Sequence, residues 1–170
     1  MRRFFWFLAT AILFDISGAC AAPSGMLNKS VTVSMSVTIP GKGPDGSTTS
    51  NPRQITRVIY VSTQGRVFVR ATRTVGRMSQ EKEVAPNEKP GNLRVAGDKI
   101  AGVLSFPSGA AQLTISFDGA FQTCTANVIF GTDSGRPLVW KGLNGMTYTQ
   151  TGRASVSSPT CSVGQGNPFN

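Results

Sequence analysis

The 170-residue sequence contains no histidine, and that absence removes most of the familiar catalytic and metal-binding designs. Serine and cysteine nucleophiles of the common triads take their proton acceptor from His, so neither a Ser-His-acid nor a Cys-His arrangement can exist. Cysteine is scarce too: Cys20, Cys124 and Cys161 are the only three, and none forms a C-x-x-C pair that could begin a zinc or redox site. Acids number eight against seventeen Lys and Arg, leaving a formal charge of +9. A calcium loop needs several closely spaced oxygen ligands, and Asp45, Asp98, Asp118 and Asp133 have no other Asp within reach. These Asp residues and the Glu81 to Glu88 stretch are the sources for a paired-carboxylate site, but they sit beside Gly or in charged loops. Turn formation and solvation account for them there. A Ser-Lys dyad drawing on Lys29, Lys42, Lys99 or Lys141 is formally open, and a Ser-rich surface with scattered Lys produces such neighbours by chance. The Gly-rich pieces Gly41-Lys42-Gly43 and Gly142 to Gly145 match neither a phosphate-cradling loop nor a dinucleotide fingerprint. No metal and no cofactor is expected.

Long apolar runs are also missing. The one candidate, Phe4 to Phe14, is too short to span a bilayer and follows the basic pair Arg2-Arg3. With Ala19-Cys20-Ala21 offering a small-x-small cleavage pattern, residues 1–21 read as a signal peptide and 22–170 as a single domain. The expected location is the periplasm or the medium, with no transmembrane segment in the mature chain. Lipid anchoring through Cys20 is the minor alternative, weakened because Ser17 stands where a lipobox wants an aliphatic residue. Removing residues 1–21 leaves Cys124 and Cys161, and in an oxidising compartment an even pair predicts one disulfide.

What is abundant is turn-forming and β-forming sequence: nineteen Gly, ten Pro and a 39% hydrophobic share. Val31 to Ile39 alternates without exception, so Val31, Val33, Met35, Val37 and Ile39 are predicted to face a core while Thr32, Ser34, Ser36 and Thr38 face water. Pro40 to Pro52 reads as a mobile loop. Gln54 to Ser62 and Arg66 to Arg73 flank Thr63-Gln64-Gly65 as a hairpin, with Val67, Val69 and Ala71 inward. Thr74 to Asn92 reads as a solvated loop, since a helix there would bury almost nothing apolar. Further strands are expected at Leu93 to Ala96, Lys99 to Phe106, Gln112 to Phe117, Thr123 to Phe130, Leu138 to Lys141, Thr147 to Val156 and around Cys161 and Val163. This predicts an all-β protein: a single antiparallel β-sandwich or closed up-and-down barrel of about nine short strands. A transmembrane barrel is disfavoured by the few aromatics and the short strands.

The charge pattern carries the one functional signal. Arg53, Arg57, Arg66, Arg70, Arg73 and Arg77 fall within 25 positions that hold no Asp or Glu. Such arginines can guard an edge against sheet-to-sheet aggregation and cover apolar surface with their stems. They can also build a site for an anion: the candidate ligand-binding set is Arg57, Tyr60, Arg66, Phe68 and Arg70, and of these Arg66, Phe68 and Arg70 are predicted on the outward face of the hairpin with Val58 and Tyr60 beside them. Export disfavours nucleic acid and points to an acidic polysaccharide or another anionic envelope component as partner. Two function classes stay open: an exported non-catalytic β domain, or an extracytoplasmic enzyme with an unrecognised His-free site.

Four stretches resemble a set of small exported proteins of alphaproteobacteria whose function is unknown. They are L-N-K-S-V-T-V-S at 27–34, Y-V-S-T-Q-G-R-V-F-V-R at 60–70, F-D-G-A-F-Q-T-C-T-A-N-V-I-F at 117–130 and C-S-V-G-Q-G-N-P-F at 161–169. The resemblance spans nearly all of 22–170 and implies export, but its motifs are structural and bring no activity or site residue.

Overall fold

The computed structural model describes residues 22–75, 78–84, 93–106, 109–130, 137–157 and 159–169. The expected signal peptide, Arg77 and Asp133 lie outside the described residues. A 3-10 turn, Ser24–Met26, leads into β1 (Lys29–Lys42), β2 (Thr48–Val61), β3 (Val67–Val75) and β4 (Met78–Val84). Four strands follow as a meander: β5 (Arg94–Ala96), β6 (Lys99–Phe106), β7 (Gly109–Phe117) and β8 (Cys124–Phe130). The chain then adds β9 (Val139–Lys141), β10 (Thr147–Gln150), β11 (Ser155–Val156) and β12 (Thr160–Gln165).

These strands pair antiparallel throughout and make two sheets. The larger has eight strands in the order β4-β3-β2-β1-β10-β9, with β11 and β12 also on β1; the smaller is β5-β6-β7-β8. The protein is therefore mostly β, as expected, but the expectation of one sandwich or one closed barrel of about nine strands is corrected. The larger sheet is curled and open, with β4 and β9 as its ends, and the described residues form twelve strands. Short pieces at the distal flank of β1 account for the higher count, because β10, β11 and β12 share that flank in succession.

β1 is the spine, and its sequence explains why. Val31, Val33, Met35, Val37 and Ile39 are each no more than 2% exposed, while the Ser and Thr between them are half-buried. Their core also takes in Met26, Ile55, Ile59 and Val61 from the large-sheet side and Leu93, Ile100, Leu104, Leu113, Ile115 and Phe117 from the small sheet. The predicted bond forms: Cys124 of β8 and Cys161 of β12 are bridged, with Cα atoms 5.7 Å apart across a sequence separation of 37, which ties the two sheets together. In the chain-entropy picture such a closure stabilises by about 3–4 kcal/mol.

The loop expected at Pro40 to Pro52 is instead strand almost throughout, with β1 and β2 in unbroken register from Lys29↔Val61 to Lys42↔Thr48. The connection shrinks to residues 43–47, where Gly43 N donates to Ser47 O at 2.8 Å and Gly46 sits at φ +85°. Asp45 Oδ1 accepts from both the amide and the hydroxyl of Ser47. The prolines fit because alternate residues of a strand direct their backbone groups to opposite neighbours. Pro40 O accepts from Thr151 N, so its ring nitrogen points away from β2. Pro52, opposite Thr38, likewise points away from β1, in a stretch where the β3 ladder has not begun.

A second correction concerns Thr74 to Asn92. There is no helix among its described residues, as expected, but Met78–Val84 forms edge strand β4 on β3, from Val75↔Met78 to Val69↔Val84. The ladder is made of backbone groups, so an edge strand can form from polar sequence without an apolar stripe. The expected continuous strand Thr147 to Val156 is broken into β10 and β11 where Thr151 turns its amide onto Pro40.

Candidate functional site

The hairpin of β2 and β3 is closed at residues 62–66. Ser62 N donates to Arg66 O, Gly65 N to Ser62 O, and Arg66 N to Ser62 Oγ, with Gly65 at φ +76° where a Cβ would be strained. This closure sets Tyr60↔Phe68 and Val58↔Arg70 as direct cross-strand pairs. Because the core is met by Ile59, Val61 and Val67, these four residues share the outer face, as expected.

The Tyr60 and Phe68 rings lie 6.1 Å apart and tilted by 37°. Tyr60 is 8% exposed, and its hydroxyl donates to Asn28 Oδ1 at 2.9 Å. Asn28 stands at φ +57°, a left-handed conformation that Asn tolerates better than most residues. A third ring arrives from far along the chain. Phe169, beyond β12, meets Tyr60 edge-on at 6.3 Å and 85°, and the Arg70 guanidinium carbon lies 4.7 Å from the centre of the Phe169 ring. Phe68, Arg70 and Phe169 are half-buried. The result is a partly desolvated platform of three rings and one guanidinium, on the face turned away from the core.

Of the other members of the expected set, Arg66 stands at the hairpin turn two residues before Phe68 and Arg57 on the other face. Arg66 precedes β3, at the hairpin turn, and is exposed. Arg57 belongs to the opposite face, in register with Val33 and Ala71 and only 9% exposed. Burial pushes its guanidinium below the usual arginine range, and its Nη1 donates to Thr56 O at 3.3 Å. Arg57 is therefore removed from the outer-face site. Its parity with Ile55 and Ile59 was the available signal, since residues two apart on a strand share a side. Arg53 shares that core face and is 8% exposed, and the backbone of Arg73 is the ladder partner of Ile55.

β4 sets Glu83 opposite Arg70 and Glu81 opposite Thr72 in the ladder. Neither Asn28 nor Phe169 stood out in local sequence, because only the packing of remote segments brings them to Tyr60.

The other polar candidates are engaged in turns. Lys29 is 7% exposed, and its Nζ donates to Phe121 O at 2.7 Å. Asp118 accepts from Gln122 N at 2.8 Å and from Thr123 Oγ1 at 3.1 Å, which holds its carboxyl below the usual range. Phe121, at φ +54° in the same turn, packs on Phe117 at 5.9 Å. Hydrogen bonds from Ser47, the hydroxyl first, lower the Asp45 carboxyl in the same way. Among the described residues no three of His, Cys, Asp and Glu gather as metal ligands. No helix among them is long and apolar enough to cross a membrane.

The chain matches no protein-family model, no curated protein and no solved structure.

Proposed function

We propose that this chain is an exported, non-catalytic β domain that binds an acidic polysaccharide on the outer face of the β2–β3 hairpin. One observation carries the reading: Arg70 shares the outer face with the Tyr60 and Phe68 rings, and the Phe169 ring touches both Arg70 and Tyr60, so a guanidinium and flat apolar surface lie within one ring of each other. A guanidinium offers bidentate contact to a carboxylate or sulfate, and an aromatic ring offers a surface for a sugar face. Exposed Arg66 at the hairpin turn extends the positive edge. Support for export comes from the sequence of residues 1–21, from the Cys124–Cys161 bond, which suits an oxidising compartment, and from the resemblance to small exported alphaproteobacterial proteins.

Polygalacturonate and a sulfated polysaccharide serve as probes in a titration at several salt concentrations. Affinity should fall steeply with salt. Arg66→Ala with Arg70→Ala should weaken binding by about tenfold or more at low salt, against a small loss for Lys99→Ala with Lys141→Ala. Equal losses from the two pairs would reduce the effect to net charge and end the proposal. A hydrolase-substrate panel in which one Ser or Asp substitution abolishes turnover would replace it with an enzyme. Intact mass of the unreduced exported protein should lack residues 1–21 and show no alkylatable thiol; a retained leader, a lipid on Cys20 or two free thiols would each contradict a separate part of the export reading.

A further inference from the structure

We propose that the segment Gly166–Phe169 is a built-in occupant of the face formed by Tyr60, Phe68 and Arg70, and that a ligand displaces it on binding. The inference rests on the outer-face reading above and concerns its regulation.

The segment is aimed at the site by its own backbone. β12 runs along β1 as far as Gln165↔Lys29, and Gly164 passes so close that a Cβ there would meet Ser30 Oγ at 2.8 Å. At Gly166 the chain turns at φ +78°, where a side chain would be strained, and the Gly166 amide donates to Asn28 O at 2.9 Å. The Phe169 amide then donates to Asn167 Oδ1 at 3.0 Å, which folds the ring back over the sheet. Asn28 joins the two parts. Its carbonyl receives the root of the segment, and its side-chain oxygen receives the Tyr60 hydroxyl.

The contacts Phe169 makes are those a flat ligand group would need. Its face is under the Arg70 guanidinium and its ring stands perpendicular to that of Tyr60. A ligand group that takes the Arg70 face now covered by Phe169, or the Tyr60 surface that Phe169 meets, must move Phe169 aside. The half-buried ring and the glycine at the root suit such a movement. A competitor of this kind lowers apparent affinity by the fraction of molecules in which the site is open.

The sign of one substitution separates this role from an ordinary packing role. Phe169→Ala should bind polygalacturonate about five- to tenfold more tightly than the unaltered protein, the range expected from removing one cation–π contact and one ring contact. Adding Arg66→Ala and Arg70→Ala should erase that gain. A second readout needs no ligand: nitration of Tyr60 by tetranitromethane should rise in Phe169→Ala, with Tyr148, 7% exposed and distant in the fold, as the internal reference. Equal or weaker binding by Phe169→Ala, with the arginine pair still mattering, overturns the occupant and leaves the anion site standing. Unchanged Tyr60 nitration overturns the occupant whatever the binding shows. If neither protein binds, or if the arginine pair is no more important than the lysine pair, both readings fall.

Discussion

Gly41→Ala is a small change with a large local obstacle. Gly41 lies near the end of β1, opposite Gln150 of β10. A Cβ there would fall 2.1 Å from Trp140 Cη2 and 2.7 Å from Cζ2, with Thr149 O at 3.1 Å. The indole has little freedom to retreat, because it is stacked on Tyr148 at 6.0 Å and 25° and packs against the core. Tyr148 is itself hemmed in: Cβ atoms at Gly142 and Gly43 would approach its ring to 2.7 and 3.2 Å, and its hydroxyl accepts from Asn144 Nδ2 at 2.7 Å. Overpacking of this kind costs about 1–3 kcal/mol, offset by about 0.4–1 kcal/mol because alanine restricts the unfolded chain. The net loss of about 1–2 kcal/mol corresponds to a fall in Tm of about 2–8 °C for a domain of this size. Thermal unfolding followed by circular dichroism reads the shift, and Trp140 fluorescence reports the displaced ring, since Trp6 in the expected leader is the other tryptophan. Gly119→Ala is the reference, because a Cβ there meets nothing within 4 Å and should change stability by less than about 0.5 kcal/mol. The cost at Gly41 should also largely vanish in a Trp140→Leu background. A Gly41→Ala shift as small as that of Gly119→Ala, or one that persists without the indole, would refute the packing argument.

Two further outcomes follow from other parts of the fold. Met35, 2% exposed at the middle of β1, should not tolerate a carboxylate: Met35→Asp is expected to cost several kcal/mol and Ser34→Asp on the other face markedly less, and equal melting shifts would mean the strand's facing is misassigned. Asp118 has a folded-state pKa below its ordinary value of 3.8, held there first by the Gln122 amide. Its contribution is therefore present above that ordinary value and is lost as pH falls through the lower folded value. Asp118→Asn should flatten the loss of stability between about pH 5 and pH 2 in urea titrations, and an unchanged acid limb would remove Asp118 from the account.

Part of the candidate site was readable from short-range pattern. The Gly65 turn defines the hairpin, and the inward Val67 places Phe68 and Arg70 on the outer face with Tyr60 opposite, because strand geometry repeats every two residues. The same rule applied to β2 places Arg57 with Ile59 on the core side, where it is found. The pairing of β4 with β3, which sets Glu83 opposite Arg70 in the ladder, was not readable in that way. β4 has no apolar stripe, and an edge strand held by backbone hydrogen bonds leaves little trace in side-chain periodicity.

By itself the sequence determined the core face of β1, the β2–β3 register, the strand-rich character and the Cys124–Cys161 pairing. Each follows from an alternation, a turn of three residues or an even count of cysteines, and so from information held within a few positions or in composition. Only the tertiary structure decided that β12 returns to lie on β1 and that Phe169 is carried from there to Tyr60 and Arg70. It also decided that the strands divide between two sheets. Backbone ladders accept almost any residue, and closing a longer loop costs only slightly more entropy, so which distant strands pair is selected by the packing of the whole core rather than by any local signal.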